Sequence, residues 1–254
     1  MRLPLDEIRD SQPVHVSYTN PKKSRMAYFG HLAQNAHDEI FWAGHNTNSS
    51  LRVFSWPESS KRYSWRDVAL GSWPNDLAKM TSTLADGNDW VAMLHADTVY
   101  FVAGATRVVG GPSHVDQLWF GWSAPGGNGF PQPHIEVAAV DRANNFALVS
   151  QGQLWNSAYA FAYPAFTSSN DGEVAMAFEY GGPNDWEQFA VGFWGDSTAW
   201  TLTSSNAGTT RYGDYVTIRP SSGPDHRYDA FGFGVNSDGR RTVNDTHYAV
   251  FGRP

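Results

Sequence analysis

The string Arg211-Tyr212-Gly213-Asp214-Tyr215 places a guanidinium, a phenol and a carboxylate within a few residues of one another. Arg211 could bind an anionic group, Asp214 could move protons, and Tyr212 could stack on a ligand or act as a nucleophile. A structural reading fits the same string, with Gly213 making a sharp entry to a strand and Asp214 capping that turn. Arg25 and Arg107 stand at comparable places before extended segments. Converging guanidinium groups bind a carboxylate bidentately, which is what recognition of a sialic or uronic acid requires. Arginines beside local acids also brace neighbouring elements, so both roles stay open. Trp155 and Asn156 offer a stacking face and an amide ahead of a further strand, and His134 could serve as a base in lyase chemistry or simply as a structural histidine.

Carboxylates for acid–base work include Asp67, Asp116, Glu136, Glu173, Glu179 and Asp214. Glycosidic hydrolysis needs two of them at a set separation across the substrate. Glu179 ends an apolar strand, the setting that makes a carboxyl a candidate proton donor. The nine histidines show no HxH or HExxH spacing, so no zinc site is expected. Ser113, His114 and Asp116 resemble a triad in composition only. Asp86-Gly87-Asn88-Asp89 is short of a calcium loop and reads as a hairpin turn. No cofactor is expected from any motif, although a structural calcium or sodium ion in a central channel is compatible with the chain.

The elements that must position these groups are strands. Hydrophobic residues make up 41% and charged residues 17% of the 254, enough apolar surface for a real core. The aromatic share is 15%, with 11 Trp, which suits thick sheet-on-sheet packing and would equally suit sugar stacking. Net charge is −7 and no basic cluster exceeds a pair such as Arg240–Arg241, so nucleic acid is not an expected partner. No apolar run reaches the ~18 residues a membrane-spanning helix needs. Acids interrupt the opening MRLPLDEIRD, which does not read as a signal peptide. The absence of cysteine excludes disulfides and thiol chemistry; it suits an exported bacterial protein without its leader and is compatible with the cytoplasm.

Helical periodicity is nearly absent; Asp6–Asp10 is the best short candidate. Five units instead share a plan of extended segment, polar turn and aromatic-rich strand: Tyr28–His45, Ala78–His95, Arg107–Ser123, Tyr163–Gly182 and Asp214–Asn236. Spacing near 50 residues is what radial blade repetition produces. The expectation is an all-β single domain over 1–254, a β-propeller of about five, or six, four-stranded blades, with residues 1–25 as an irregular or ring-closing segment. The fourth unit supplies four strands readably, in YPAFTSS, EVAMAFEYG, EQFAVGFWG and STAWTLTSS. A β-sandwich is the competing architecture but has no reason for the long repeat.

The strings LWFGWSA (Leu118–Ala124), FPQPHIEV (Phe130–Val137), LWNSAYAFAYPAF (Leu154–Phe166) and TTRYGDYVTIRP (Thr209–Pro220) resemble a group of exported bacterial proteins with sialidase-like, BNR-like propellers. IFWAGH (Ile40–His45), YSWRD (Tyr63–Asp67) and ADGNDW (Ala85–Trp90) extend the likeness over most of the chain. The sialidase turn Ser-x-Asp-x-Gly-x-x-x-Trp is not intact: SSNDGEVAM (Ser168–Met176) has Asp and Gly adjacent and no Trp. The resemblance implies a secreted carbohydrate-binding propeller that engages an anionic glycan at a funnel mouth, with glycoside hydrolase-like cleavage as a further option there. A non-catalytic lectin or interaction scaffold, and a polysaccharide lyase or other hydrolase, are the alternatives on the same scaffold.

Overall fold

The computed structural model describes residues 2–19, 31–95, 102–111, 114–213, 215–222 and 226–253. It is all-β apart from one short helix, α1 (Leu5–Arg9), and two single 3-10 turns. Four antiparallel sheets follow one another along the chain. The first holds β1 (Glu39–Thr47), β2 (Ser50–Pro57) and β3 (Ser64–Ala69). The second holds β4 (Ala103–Val109), β5 (Val115–Ala124), β6 (His134–Asp141) and β7 (Ala147–Leu154). The third holds β8 (Ala160–Ser168), β9 (Val174–Gly182), β10 (Asp185–Phe193) and β11 (Ala199–Thr201), the four strands read from the fourth sequence unit. The fourth holds β12 (Thr217–Pro220), β13 (Arg227–Ser237) and β14 (Thr242–Gly252).

Each sheet is an up-and-down meander, and successive sheets pack face to face. Phe41, Leu51 and Val53 of the first meet Leu118, Phe120 and Trp122 of the second. Trp119, Ile135 and Val137 of the second meet Phe166, Met176 and Phe178 of the third. Phe189, Val191 and Phe193 of the third meet Ile218, Tyr228 and Ala230 of the fourth. A strand pressed between neighbours on both faces must be apolar on both, which is why β5 reads Leu-Trp-Phe-Gly-Trp without polar alternation. Gly121 is required there: a Cβ at that position would lie 2.2 Å from the Phe166 ring of the next sheet. The first strands of the four sheets, β1, β4, β8 and β12, lie beside one another in sequence order. This radial stacking of meanders is a β-propeller and not a two-sheet sandwich.

Residues 31–34 complete the first sheet on its inner side. Ala33 N–H donates to Phe41 O (2.8 Å), and Gln34 forms a parallel bridge to Ala105 of β4. Residues 31–34, the described part of the first unit's extended segment, are thus an inner stretch stitched to the next blade.

The unit read over Ala78–His95 forms no sheet among the described residues. Its ladder is reduced to one isolated bridge, Thr83 to Asp89, between the 3-10 turns Leu77–Lys79 and Ala92–His95. Side chains have taken over the backbone's donors: Asp89 Oδ1 accepts from Ser82 N–H (3.0 Å) and Val91 N–H (3.2 Å), and Asp76 Oδ1 accepts from Ala78 N–H (3.2 Å). Such local bonds compete with strand pairing. The apolar residues that suggested a strand, Met80, Leu84, Trp90, Val91 and Leu94, are buried instead against Ala160, Ala162, Tyr212 and Phe233.

Candidate functional site

The inner strands run in one direction. Asn35, just after residues 31–34, Thr106 in the middle of β4, and Ser168 at the end of β8 are hydrogen-bonded together, and Tyr228, opposite Pro220 at the end of β12, donates its hydroxyl to Glu173 O (3.4 Å) beyond β8. Among the described residues, the ends of these inner segments therefore gather at one end of the molecule, here the downstream end. A cavity of about 740 Å³ opens there. Asn35, His37, Asp38 and Glu39 line it from the first blade, Thr106 and Val108 from the second, and Ser168, Ser169 and Asn170 from the third, with Arg142 alongside.

Asn35, in the left-handed region at φ 58°, is the knot of this wall. Its Nδ2 donates to Ser168 O (2.5 Å) while its carbonyl accepts from Thr106 Oγ1 (2.5 Å), and Ser168 Oγ donates to Thr106 O. Glu39 accepts from Ser55 Oγ. Arg142 Nε donates to Asp116 Oδ2 (2.8 Å) and its guanidinium lies over the Phe41 ring (5.4 Å), so its charge is balanced locally. His37, Asp38 and Asn170 line the cavity with side chains that make no hydrogen bond to another described residue. Among the described residues no group of three or more His, Asp or Glu side chains is gathered as a metal ion would require.

The structure places Arg107 and Arg211 apart. Arg107 sits late in β4, where the period of two turns Thr106 and Val108 toward the cavity and Arg107 away from it. Its Nε donates to Gly172 O (2.5 Å) and its Nη1 to Gln117 Oε1 (3.1 Å), so it braces the second blade against the third. Arg211 is exposed ahead of β12, at the opposite, upstream end. Arg25 and Asp214 lie outside the described residues.

Tyr212 and Glu179 do come together, but in the core. Tyr212 is fully buried, donates its hydroxyl to Phe233 O, and packs edge-on to Trp90 with ring centroids 5.9 Å apart. Burial first, then Glu179, Glu187 and Tyr163, push the Tyr212 phenol above its ordinary range. It is therefore no source of phenolate near neutral pH. Glu179, fully buried on β9, stands between Ala162 and Phe189 in the sheet register. Tyr212→Phe should keep the packing and lose one hydrogen bond, lowering stability by about 1–2 kcal/mol in a urea titration. Ligand binding should be unchanged; a loss of binding at retained stability would restore Tyr212 as a site residue.

His134 and Trp155 meet through Phe130. The Phe130 ring stacks on His134 at 4.1 Å, and Trp155, half exposed, stands edge-on to Phe130 at 5.6 Å. His134 itself is fully buried, with Nε2 3.2 Å from Glu136 Oε1. Asn156 Oδ1 accepts from Ala158 N–H (2.8 Å), a local turn contact. The cavity residues Asn35, His37, Asp38 and Asn170 were not legible as a site: their strings AQNAHDE and SSND read as hairpin turns. The available signal was that polar turns follow successive inner segments, and parallel inner strands must collect such turns at one end.

Comparison with known proteins gives no matching family model and no matching curated sequence. Among solved structures, the chain is similar to a GH43 endo-arabinanase from Bacillus licheniformis, at 14% identity and a TM-score of 0.36 over 87% of this chain and 72% of that one. It is also similar to the native Bacillus subtilis arabinanase Arb43A, at 14% identity and a TM-score of 0.33 over 87% of this chain and 72% of that one. Neither of these is a sialidase. Likeness at this level transfers no activity, and the site must speak for itself.

Proposed function

We propose that this chain is a carbohydrate-binding β-propeller that seats a neutral glycan in the downstream cavity. One observation carries the reading: three blades converge on a roomy cavity that offers an amide, an imidazole and a carboxylate, Asn170, His37 and Asp38, with no partner among the described residues. A volume of about 740 Å³ lies within the range of small-molecule sites, and a few convergent polar groups in a fixed frame are how such sites orient a ligand. Sugar hydroxyls donate and accept, matching both kinds of group. A neutral glycan fits better than an anionic one, because Arg142 is paired with Asp116 and the acids Asp38 and Glu39 face the cavity. The reading is of binding: hydrolysis needs a second carboxylate placed across the substrate, and Glu39 is held by Ser55. Export of the chain belongs to this reading, and no helix among the described residues is long and apolar enough to cross a membrane.

A glycan array followed by calorimetry on the hits tests it. Asp38→Ala, at an exposed position, should leave folding intact and weaken binding about tenfold or more. Absence of any glycan hit, or a hit indifferent to Asp38, counts against the reading.

A further inference from the structure

A second cavity of about 340 Å³ adjoins the first and shares His37, Asp38 and Glu39 with it, so these residues form a ridge between two chambers. The far wall of the second chamber is the N-terminal arm, through Arg2, Leu3 and Leu5. The arm is folded back and anchored. Arg2 and Ser17 exchange backbone hydrogen bonds at 2.8 and 3.0 Å, and Glu7 accepts from His15 N–H at 2.7 Å. The Arg2 guanidinium donates to the carbonyls of Pro57 (2.8 Å), Glu58 (2.6 Å) and Ser60 (3.1 Å), and lies 4.8 Å from the Trp56 ring. Three of its donors go to backbone carbonyls at and just after the end of β2, which makes Arg2 a strut between the arm and the first blade. Leu5, by contrast, is 78% exposed at the rim, an apolar side chain that packs on little of the protein itself.

Resting on the reading above, we propose that the N-terminal arm builds a second glycan subsite, so that the protein recognises an oligosaccharide lying across the His37–Glu39 ridge. The chamber offers what a pyranose needs: the apolar Leu3, Leu5 and Ile40 for its C–H face, and the polar edges of Asp6, His37 and Glu58 for its hydroxyls. A ligand long enough to enter both chambers gains the second set of contacts without a second association cost, so affinity rises with chain length until both are filled. The arm then sets the preferred length, while the propeller cavity sets the sugar.

The test is calorimetry with cello-, xylo- and malto-oligosaccharides of one to six units, on the wild-type chain and two variants. Arg2→Ala frees the arm from β2, and Leu5→Asp strips the apolar rim from the second chamber while leaving the strut in place; circular dichroism checks both folds. In whichever series binds, wild-type affinity should climb with length and then level off. Both variants should lower affinity for the longest oligomers about tenfold and leave the shortest binder within about twofold, since only one chamber is altered. Equal affinity at all lengths, or variants that weaken every length alike, overturns the second subsite while leaving the first cavity's role intact. If no oligosaccharide binds at any length, the glycan reading itself fails and this inference with it.

Discussion

Glu136→Ala should destabilise the fold by about 3–5 kcal/mol, the largest single effect expected outside the hydrophobic core. Glu136 is 1% exposed on β6, yet both its oxygens are occupied. Oε1 lies 3.2 Å from His134 Nε2, while Oε2 accepts from Gln151 Nε2 (3.2 Å) and Gln153 Nε2 (3.1 Å) on β7. Gln151 continues the chain by bonding both ways with the Gly71 backbone, at 2.7 and 3.1 Å, in the link that leaves the first blade. Removing the carboxylate strips the buried His134 imidazole of its only side-chain hydrogen-bond partner among the described residues and takes from Gln151 one of its two acceptors, while Gln153, exposed on β7, can turn to water; unmade buried hydrogen bonds cost more than made ones gain. Glu136→Gln, which retains an acceptor, should cost clearly less. Urea titrations read both: the midpoint should fall with the m-value unchanged. A loss under about 1 kcal/mol would mean that water reaches the cluster and that it does not tie the first blade to the second.

Glu187→Gln should raise stability above neutral pH and change it little in acid. Glu187 is fully buried on β10; Oε1 accepts from Thr209 N–H (3.1 Å), and Oε2 has no hydrogen-bond partner among the described residues. Burial first, with the nearby Asp86 carboxylate adding to it, pushes the Glu187 carboxyl up to about 7, against the opposing pull of the Thr209 N–H. Between about pH 4.5 and 7 the folded protein thus holds a proton that the unfolded chain has released. Stability from this group is complete below the lower value and is lost as pH rises through the upper one, about 3 kcal/mol at most. His45 acts with the opposite sign, since burial lowers its imidazole to about 3 and stability grows with pH from there to the ordinary histidine range. Subtracting the wild-type profile from that of the Gln variant cancels His45 and isolates Glu187. Denaturant midpoints from pH 4 to 9 should give a difference that opens between about pH 4.5 and 7 in favour of the variant and stays level above that. A flat difference would sink the assignment.

The blade was legible in the sequence wherever a hairpin's two strands and its turn sit together, as in the third sheet, because a period of two and an Asn-Asp-Gly turn are local signals. The Ala78–His95 unit deceived because Trp90, Val91 and Leu94 are as apolar as a strand, and periodicity cannot distinguish a buried strand from a buried irregular segment pinned by Asp89. Arg107 lies off the cavity for a finer reason. One residue of register decides whether a β4 side chain faces the cavity with Thr106 or the next blade with Gly172, and no sequence signal fixes that parity in a strand buried on both faces. Tyr212 and Glu179 were picked for their chemistry and do lie near each other, yet the sequence could not show that the segment around Trp90 buries them. The downstream cavity went unseen because its residues belong to turns, whose convergence follows only from the shared direction of the inner strands.

Amide chemical-shift mapping with the tightest-binding neutral oligosaccharide tests the central claim most directly. The downstream cavity predicts shifts concentrated at Asn35, His37, Asp38, Ser169 and Asn170, saturating with the calorimetric affinity. Shifts confined to Arg211 and Tyr215 at the upstream end, with the downstream turns silent, would contradict it.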